Sequence, residues 1–514
     1  MPDSRTKNSI LNIISTFGGT MAYDLGYFLL RAIFVRCLAE EYLGVEGLFS
    51  NILGMLSLME LGIGPAMVVS LYKPLAENDT EKIKSLMGLY RKAYAVIGVC
   101  VFAVGAALTP FLNVIIKDVP SSIENIQIIY LLYVANTAIS YFCIYKQSVF
   151  IADQKNYLVT FWYNLVRIAM LVVQALVLIL SKNFILFLVV QIAFTRGANI
   201  YISKRADKQY PYLKENNALP IDSSTKKEVF KYAYASSILN IGSKLVNGTD
   251  QIIISSCIGL SVGGSYSNYV LVTGALQSIE SKILNSCTAS IGNLNVVGSD
   301  EHFKTVYYRI LFIGLSLASF CTVCLAALFQ DFVKIWVGEK MLLDNFSVIC
   351  LLISFYLYSV RFPTQVFNSA TGNFYHFKYR AFVEGAINLA VSIIMSKVIG
   401  VAGVILGTII SCLVVPFWIE PYIFYRYIFK EKPVAYIRQV LKNFGFTLVV
   451  TLLTVYACRF IVLQGILSLL CKGVVAVLIF LASFVTVFHK NENFNYFFTT
   501  IKNWFTSMKG KSSL

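Results

Sequence analysis

A chain of 514 residues that is 57% apolar and 14% charged, with a mean hydropathy of +0.69, carries more apolar surface than a water-soluble core of its size can bury. This composition excludes a soluble globular enzyme and implies a membrane protein. The net charge of +16 gathers in the connections between apolar runs, so anionic lipid headgroups explain it and no nucleic-acid partner is needed.

Runs long enough to cross about 30 Å of hydrocarbon recur along the whole chain. Fourteen spans are predicted, at approximately 9–35, 45–70, 93–116, 124–149, 156–181, 183–203, 229–257, 263–290, 306–330, 343–370, 377–399, 401–427, 437–461 and 464–488. Span one follows "MPDSRTK" and carries Asn12, Asp24 and Arg31, with no small-residue cleavage site, so it is read as a retained helix rather than a signal peptide. Span two opens with "LGVEGLFSN" (43–51), contains Glu60, and ends in "LGIGPA", where Gly62, Gly64 and Pro65 loosen the helix and mark either a candidate gate or a site of tight packing. Spans three to six complete a first lobe (1–203), and a basic linker (204–228) joins it to a second lobe of six spans (229–430). Within that lobe, span seven holds Lys244 and Asp250, span eight holds Glu280 and Lys282, span ten holds Arg361 beside Pro363, and span eleven holds Glu384. Gly403 and Gly407 form a small-xxx-small pair in span twelve, read as packing. Spans thirteen and fourteen (431–490) have no counterpart in the first lobe. In the tail (491–514), Phe494, Phe497, Phe498, Ile501, Trp504, Phe505 and Met508 share one helical face, the pattern of a helix lying on the inner leaflet.

Lys and Arg alternate between connections. Lys73, Lys82, Lys84, Arg91 and Lys92 fall on one side with Lys204, Arg205, Lys208 and Lys226, and the opposite connections hold few. The positive-inside rule puts both termini and the 204–228 linker in the cytoplasm. The eleven cysteines sit mostly in apolar runs without metal-ligand or CxxC spacing and read as small buried hydrophobes.

The stretch "LGVEGLFSN" returns 217 positions later as "LSVGGSYSN" (260–268), and "EKIK" (81–84) meets "EHFK" (301–304) at nearly the same offset. The shift carries span two onto span eight. Six crossings preserve direction, so the repeat is parallel, with the lobes related about the membrane normal and a substrate site expected between them.

"EYLGVEGLFSNIL", "MELGIGPA", "LYKPLAENDTEKIKSLMGLYRKAY", "VNGTDQIIIS" and "GSYSNYVLV" together resemble the polysaccharide-transporter branch of the multidrug/oligosaccharidyl-lipid/polysaccharide (MOP) exporter superfamily, the Wzx-type flippases. The resemblance covers the whole chain. It implies an all-α, two-lobed transporter of about fourteen helices in the bacterial cytoplasmic membrane. By alternating access it would move undecaprenyl-diphosphate-linked oligosaccharide repeat units from the inner to the outer leaflet, for capsule, exopolysaccharide or O-antigen assembly, with polysaccharide polymerase machinery as a further partner. No cofactor or metal is implied.

A charge inside a span is costly and faces a cavity or a partner. Arg31, Lys244, Lys282 and Arg361 are the cations expected for a diphosphate, against fixed pairing or satisfaction of freed carbonyls. Asp24, Glu60, Asp250 and Glu280 are the acids that would carry H+ or Na+ if transport is ion-coupled. Asp24 and Arg31 lie two turns apart on one face, and Asp250 falls opposite Arg31 in the repeat, so both are expected partners for it. Arg167, Arg196, Arg459 and Lys472 are read as pairing or snorkelling residues. "YSNY" (266–269) is the one aromatic cluster singled out. No Walker A, HExxH or nucleotide-binding motif is present. Two other readings stand beside the flippase: an ion-coupled multidrug or small-solute exporter of the same superfamily, and a membrane glycosyltransferase or polymerase acting on the same carrier.

Overall fold

The structure, a computed structural model, describes residues 2–57, 60, 63–116, 120, 123, 125–215, 221–373 and 379–499; within them the side chains of 2–17, 65, 143, 224, 228, 232, 235–236, 238–247, 289 and 296 lie outside the description. The described residues are almost wholly helical and contain no strand. In hydrocarbon every backbone donor and acceptor must be satisfied within its own segment, which an α-helix alone achieves without closing a barrel. Among the described residues eight helical stretches are long and apolar enough to cross a membrane by length and composition, and the protein is an all-α, multi-span membrane protein.

Two compact units divide the chain: Met1–Ser267 with Ser396–Val401, and Asn268–Met395 with Ala402–Leu514. In the first lie α1 (Pro2–Cys37), α2 (Glu41–Leu56), α3 (Ile63–Glu77), α4 (Thr80–Leu108), α5 (Leu112–Ile115), α6 (Ile126–Ile144), α7 (Gln147–Ala152), α8 (Asn156–Ser181), α9 (Phe184–Gln209), α10 (Ser223–Ile253) and the first turns of α11 (Leu260–Asn285). The second continues with the rest of α11, then α12 (Thr288–Val297), α13 (Asp300–Val337), α14 (Asn345–Ser359), α15 (Phe362–Ala370), α16 (Arg380–Val414), α17 (Pro416–Phe424), α18 (Val434–Cys458) and α19 (Gly465–Phe488). Side-chain caps start several of these helices: Asp79, Asn183, Asp222, Ser299 and Asp344 each accept a backbone N–H three residues on.

Each of the fourteen predicted spans falls on helix, but several are built of two pieces. In span two α2 ends at Leu56 and α3 begins at Ile63, with Glu60 between them in the sequence. Spans eleven and twelve are the two arms of α16, which turns at Ile399 and Gly400, the latter at φ +60°. The arms pack tightly: Ser392 donates to the Val404 carbonyl at 3.0 Å, Asn388 to Thr408 at 2.8 Å, and a side chain on Gly403 or Gly407 would strike Met395 or Ser392. The packing reading of that glycine pair holds.

The halves repeat each other locally. Span four is broken at Tyr145–Lys146 between α6 and α7, and span ten at Val360–Arg361 between α14 and α15. The short helix after each break carries "QSVF" (147–150) or "TQVF" (364–367), 217 positions apart. Each half also has its own aromatic core against that helix. The first gathers Tyr90, Tyr94, Phe150 and Tyr210, the second Tyr307, Phe367, Phe424 and Tyr436. Between helices in lipid, such close ring packing replaces the hydrophobic drive that water would supply.

α18 and α19 pack on α13 through Val323, Phe446, Val450 and Phe480, and a buried polar knot pins them, with Ser319 and Tyr356 both donating to Asn443 Oδ1 (3.0 and 2.8 Å). Their outer faces, including Leu452, Leu467 and Leu478, stay exposed, as lipid-facing surfaces do. The tail is helical over 492–499; the remainder of the predicted interfacial helix lies outside the described residues.

Candidate functional site

The two copies of the repeated stretch touch. Gly44, near the start of α2, abuts the Leu260 carbonyl, and a Cβ there would collide with it. A Cβ on Gly264 would come within 2.9 Å of the Glu40 carbonyl oxygen, and Ser261 Oγ donates to Glu40 at 3.1 Å. Gln251 on α10 donates to the Gly263 carbonyl at 3.0 Å and fills the space beside Gly47. Gly44 and Gly264 stand where the beginnings of the two helices approach at backbone distance, where only glycine fits, and of the two only Gly264 has a glycine, Gly47, as its repeat mate.

Arg31 of α1 is held at this crossing. Its side chain is 6% exposed, its Nη1 donates to Glu46 Oε2 at 2.6 Å, and its Nη2 donates to Ser267. Tyr27, one turn earlier, donates to the other Glu46 oxygen at 3.0 Å. The sequence points to Asp24 or Asp250 as the partner; the carboxylate that Arg31 meets is Glu46. Asp24 is half-buried and makes no ion pair among the described residues, and Asp250 is approached by the Tyr266 hydroxyl. The repeat holds the signal for the true partner: Glu46 is the position where the first copy has a charge and the second has Gly263. A guanidinium presents five donors. Glu46 and Ser267 engage two different nitrogens, and Tyr27 keeps a bond to Glu46 if the arginine turns elsewhere.

The other candidates separate. Glu60 accepts from Tyr94 at 3.1 Å and lies beside Tyr141. Glu280 is buried on α11, accepts from Ser359 at 2.6 Å, and has its second oxygen without a hydrogen bond. Lys282, two residues further on, is half-buried. Lys244 falls on α10 with its side chain outside the description, as do Gly62 and the Pro65 side chain; Gly64 stands in the first turn of α3. In "YSNY", Tyr269 bonds Gln330 and the Leu343 amide, a structural role. Arg196 donates to the Ile139 carbonyl, Lys472 pairs with Asp331, and Arg167 stacks over Tyr23 at 3.4 Å.

Arg361 is enclosed. It forks onto Glu420 through Nε and Nη2, both at 3.0 Å, and lies 3.6 Å from Glu384, while Arg380 pairs with the same two acids. Two cations and two carboxylates cancel, the arrangement a buried charge requires. Glu420 is absent from the sequence candidates, although "WIEPY" puts an acid inside span twelve. The first half has a simpler counterpart: Lys146, at the break in span four, bonds both oxygens of Asp207 on α9 at 2.6 and 2.8 Å. A second pair also recurs, Lys84 with Glu215 (2.8 Å) and Lys304 with Glu431 (2.7 Å), joining the start of the third span of each half to the end of its sixth.

No family model matches the sequence, and no curated protein matches it. Solved structures do. The lipid II flippase MurJ in its inward closed conformation aligns over 93% of this chain and 99% of its own, with a TM-score of 0.64 at 12% identity. An inward-facing multidrug resistance MATE family transporter of the MOP superfamily aligns over 76% and 91% (TM-score 0.59, 14% identity). The Vibrio cholerae MATE transporter VcmN, in a mutant form, aligns over 84% and 99% (TM-score 0.56, 13% identity). At these identities the likeness is one of fold, and the chain has the fold that MurJ and the MATE transporters share.

Proposed function

We propose that this protein is a flippase for undecaprenyl-diphosphate-linked oligosaccharides, moving repeat units from the inner to the outer leaflet of a bacterial cytoplasmic membrane by alternating access, with both termini cytoplasmic. The observation that carries the reading is Arg31: an arginine buried in the first span, neutralised by a glutamate that has a second hydrogen-bond donor of its own. Such a cation presents a planar fork that suits a diphosphate, and the Tyr27 hydroxyl keeps a hydrogen bond to Glu46 when the guanidinium turns to the substrate. The fold shared with a lipid II flippase supports a lipid-linked substrate, and the resemblance of the motifs supports a polysaccharide precursor. Polymerase machinery would then receive the product on the outer face.

The test is deletion followed by analysis of the lipid fraction. A flippase mutant accumulates a single lipid-linked repeat unit on the cytoplasmic side and stops making polymer; normal polymer without accumulation would refute the reading. The ion-coupled exporter is favoured by one feature, the buried carboxyl of Glu280 with an oxygen free to take a proton or cation. It forecasts drug or solute sensitivity on deletion with glycans intact. A glycosyltransferase or polymerase would instead lengthen supplied lipid-linked units in detergent, without a membrane.

A further inference from the structure

In the first unit a cavity of about 640 Å³ opens between α4, the α6–α7 break, Leu213 and Glu215 after α9, and Ile221 and Lys226 at the start of α10. This is the volume of a small-molecule site. Its wall carries five cations, Lys84, Arg91, Lys92, Lys146 and Lys226, against one carboxylate, Glu215. Two of the five are neutralised, Lys84 by Glu81 and Glu215 and Lys146 by Asp207. Arg91, Lys92 and Lys226 are exposed to the cavity and meet no carboxylate among the described residues.

The second half shows what a purely structural version of this place looks like. There Lys304 and Arg361 are matched by Glu431 and Glu420. On the register that sets Tyr90 against Tyr307, the place of Arg91 is taken by Tyr308, which accepts a hydrogen bond from Tyr425 at 3.0 Å. The place of Lys92 is taken by Arg309, covered by the Tyr496 ring at 3.6 Å. At these matching positions the second half therefore balances or covers its charges; the first leaves three cations facing the cavity. Like charges held together destabilise the free protein, and an anion relieves that repulsion. Met87, Leu89, Leu213 and Ile221 complete the wall, so an organic group attached to the anion is accommodated.

We propose that this pocket is a binding site for a diphosphate ester. Arg91 supplies a planar fork for phosphate oxygens and the two lysines supply point charges, a combination that a single carboxylate would leave half unused. The diphosphate can be that of a lipid headgroup or of a soluble ester. The site is built from α4, the Tyr145–Lys146 break, residues 213–215 and the start of α10, whereas Arg31 sits on α1 beside α2, so its occupancy does not depend on the transport reading.

The experiment uses the full chain in phosphatidylcholine nanodiscs, titrated with inorganic pyrophosphate by thermophoresis and, in parallel, with undecaprenyl diphosphate incorporated in the disc and read by native mass spectrometry. The paired variant Arg91→Gln/Lys92→Gln is compared with wild type and with Lys430→Gln/Lys432→Gln, an exposed basic pair elsewhere. These surface changes should leave the unfolding temperature within a degree or two. The expected result is binding that weakens at least tenfold in the Arg91/Lys92 variant and stays unchanged in the control. Binding of pyrophosphate with that pattern identifies the anion itself as sufficient; binding of the lipid alone with that pattern identifies a headgroup site. No binding of either, or equal weakening in both variants, overturns the proposal, the latter because general surface charge would then explain it.

Discussion

Arg31 and Glu46 allow fold and transport to be separated by a double-mutant cycle. Removing Arg31 leaves Glu46, 17% exposed, with only the Tyr27 hydroxyl; removing the charge of Glu46 by Glu46→Gln leaves the arginine without a counter-ion. Breaking a buried pair from one side costs about 3–5 kcal/mol, because the remaining charge is stranded. An isolated arginine in hydrocarbon is itself penalised by about 2.5 kcal/mol or more on insertion scales. Replacing both, Arg31→Met with Glu46→Gln, removes both charges, roughly keeps the volume, and leaves Tyr27 an amide oxygen to bond. We expect that double variant to recover most of the loss, giving a coupling energy of about 3 kcal/mol in thermal unfolding of the purified protein. In a deletion strain it should insert at wild-type levels yet fail to restore polymer, since the cation that would hold the diphosphate is gone. Arg31→Lys should restore polymer in part, because charge survives and the fork does not. Full complementation by the double variant at matched expression would refute a transport role for Arg31, and additive losses of stability would refute the pairing itself.

Three further outcomes follow from the packing. Gly44→Ala should lose folded protein in the membrane, at a cost of about 1–3 kcal/mol or more from backbone collision with Leu260, whereas Gly54→Ala, with open space around it, should behave as wild type in a fluorescence size-exclusion assay. Arg361→Met should destabilise by about 3–5 kcal/mol by stranding Glu420 and Glu384, and adding Glu420→Gln should return part of that stability, measured by thermal unfolding. Glu280→Gln should keep stability within about 1 kcal/mol, because the Ser359 hydroxyl can donate to an amide oxygen as it does to the carboxyl; if instead it unfolds the protein, the free oxygen is not idle.

The helical membrane fold was legible because hydrocarbon imposes one constraint on every span, and length with apolarity reads it directly. Breaks inside spans were less legible. Nothing in "YFCIYKQS" announces the break at Tyr145–Lys146; the clue there is a lysine inside an apolar run, and its reason, Asp207, lies 61 residues away. Of the charged candidates, Arg31 is the one whose expected partners, Asp24 and Asp250, differ from the carboxylate it meets. Arg31 and Asp24 share a helix face by periodicity, yet a side chain on a buried helix pairs with whatever the neighbouring helix presents, and α2 presents Glu46. Arg380 belongs to the Arg361 cluster because the first turn of α16 brings it beside Glu384 and Glu420.

The repeat also explains why Glu46 stands alone. The two stretches meet at backbone distance, so whatever either copy carries near the start of its helix is imposed on the same small volume. In the second copy the place of Glu46 is taken by Gly263, whose carbonyl receives Gln251 and whose missing side chain leaves room for Ser255. A second glutamate there would collide with both and would add an acid to a region that offers one arginine, where like charges resist burial together. Within the repeated stretch the near-symmetry is therefore broken at Glu46, the position that carries the charge, and breaking it keeps Arg31 and Glu46 balanced. Gly263→Glu tests this argument against simple crowding: if crowding alone excludes the side chain, Gly263→Gln, nearly equal in size, should do the same damage, and if charge contributes, the glutamate variant should yield measurably less folded protein than the glutamine one.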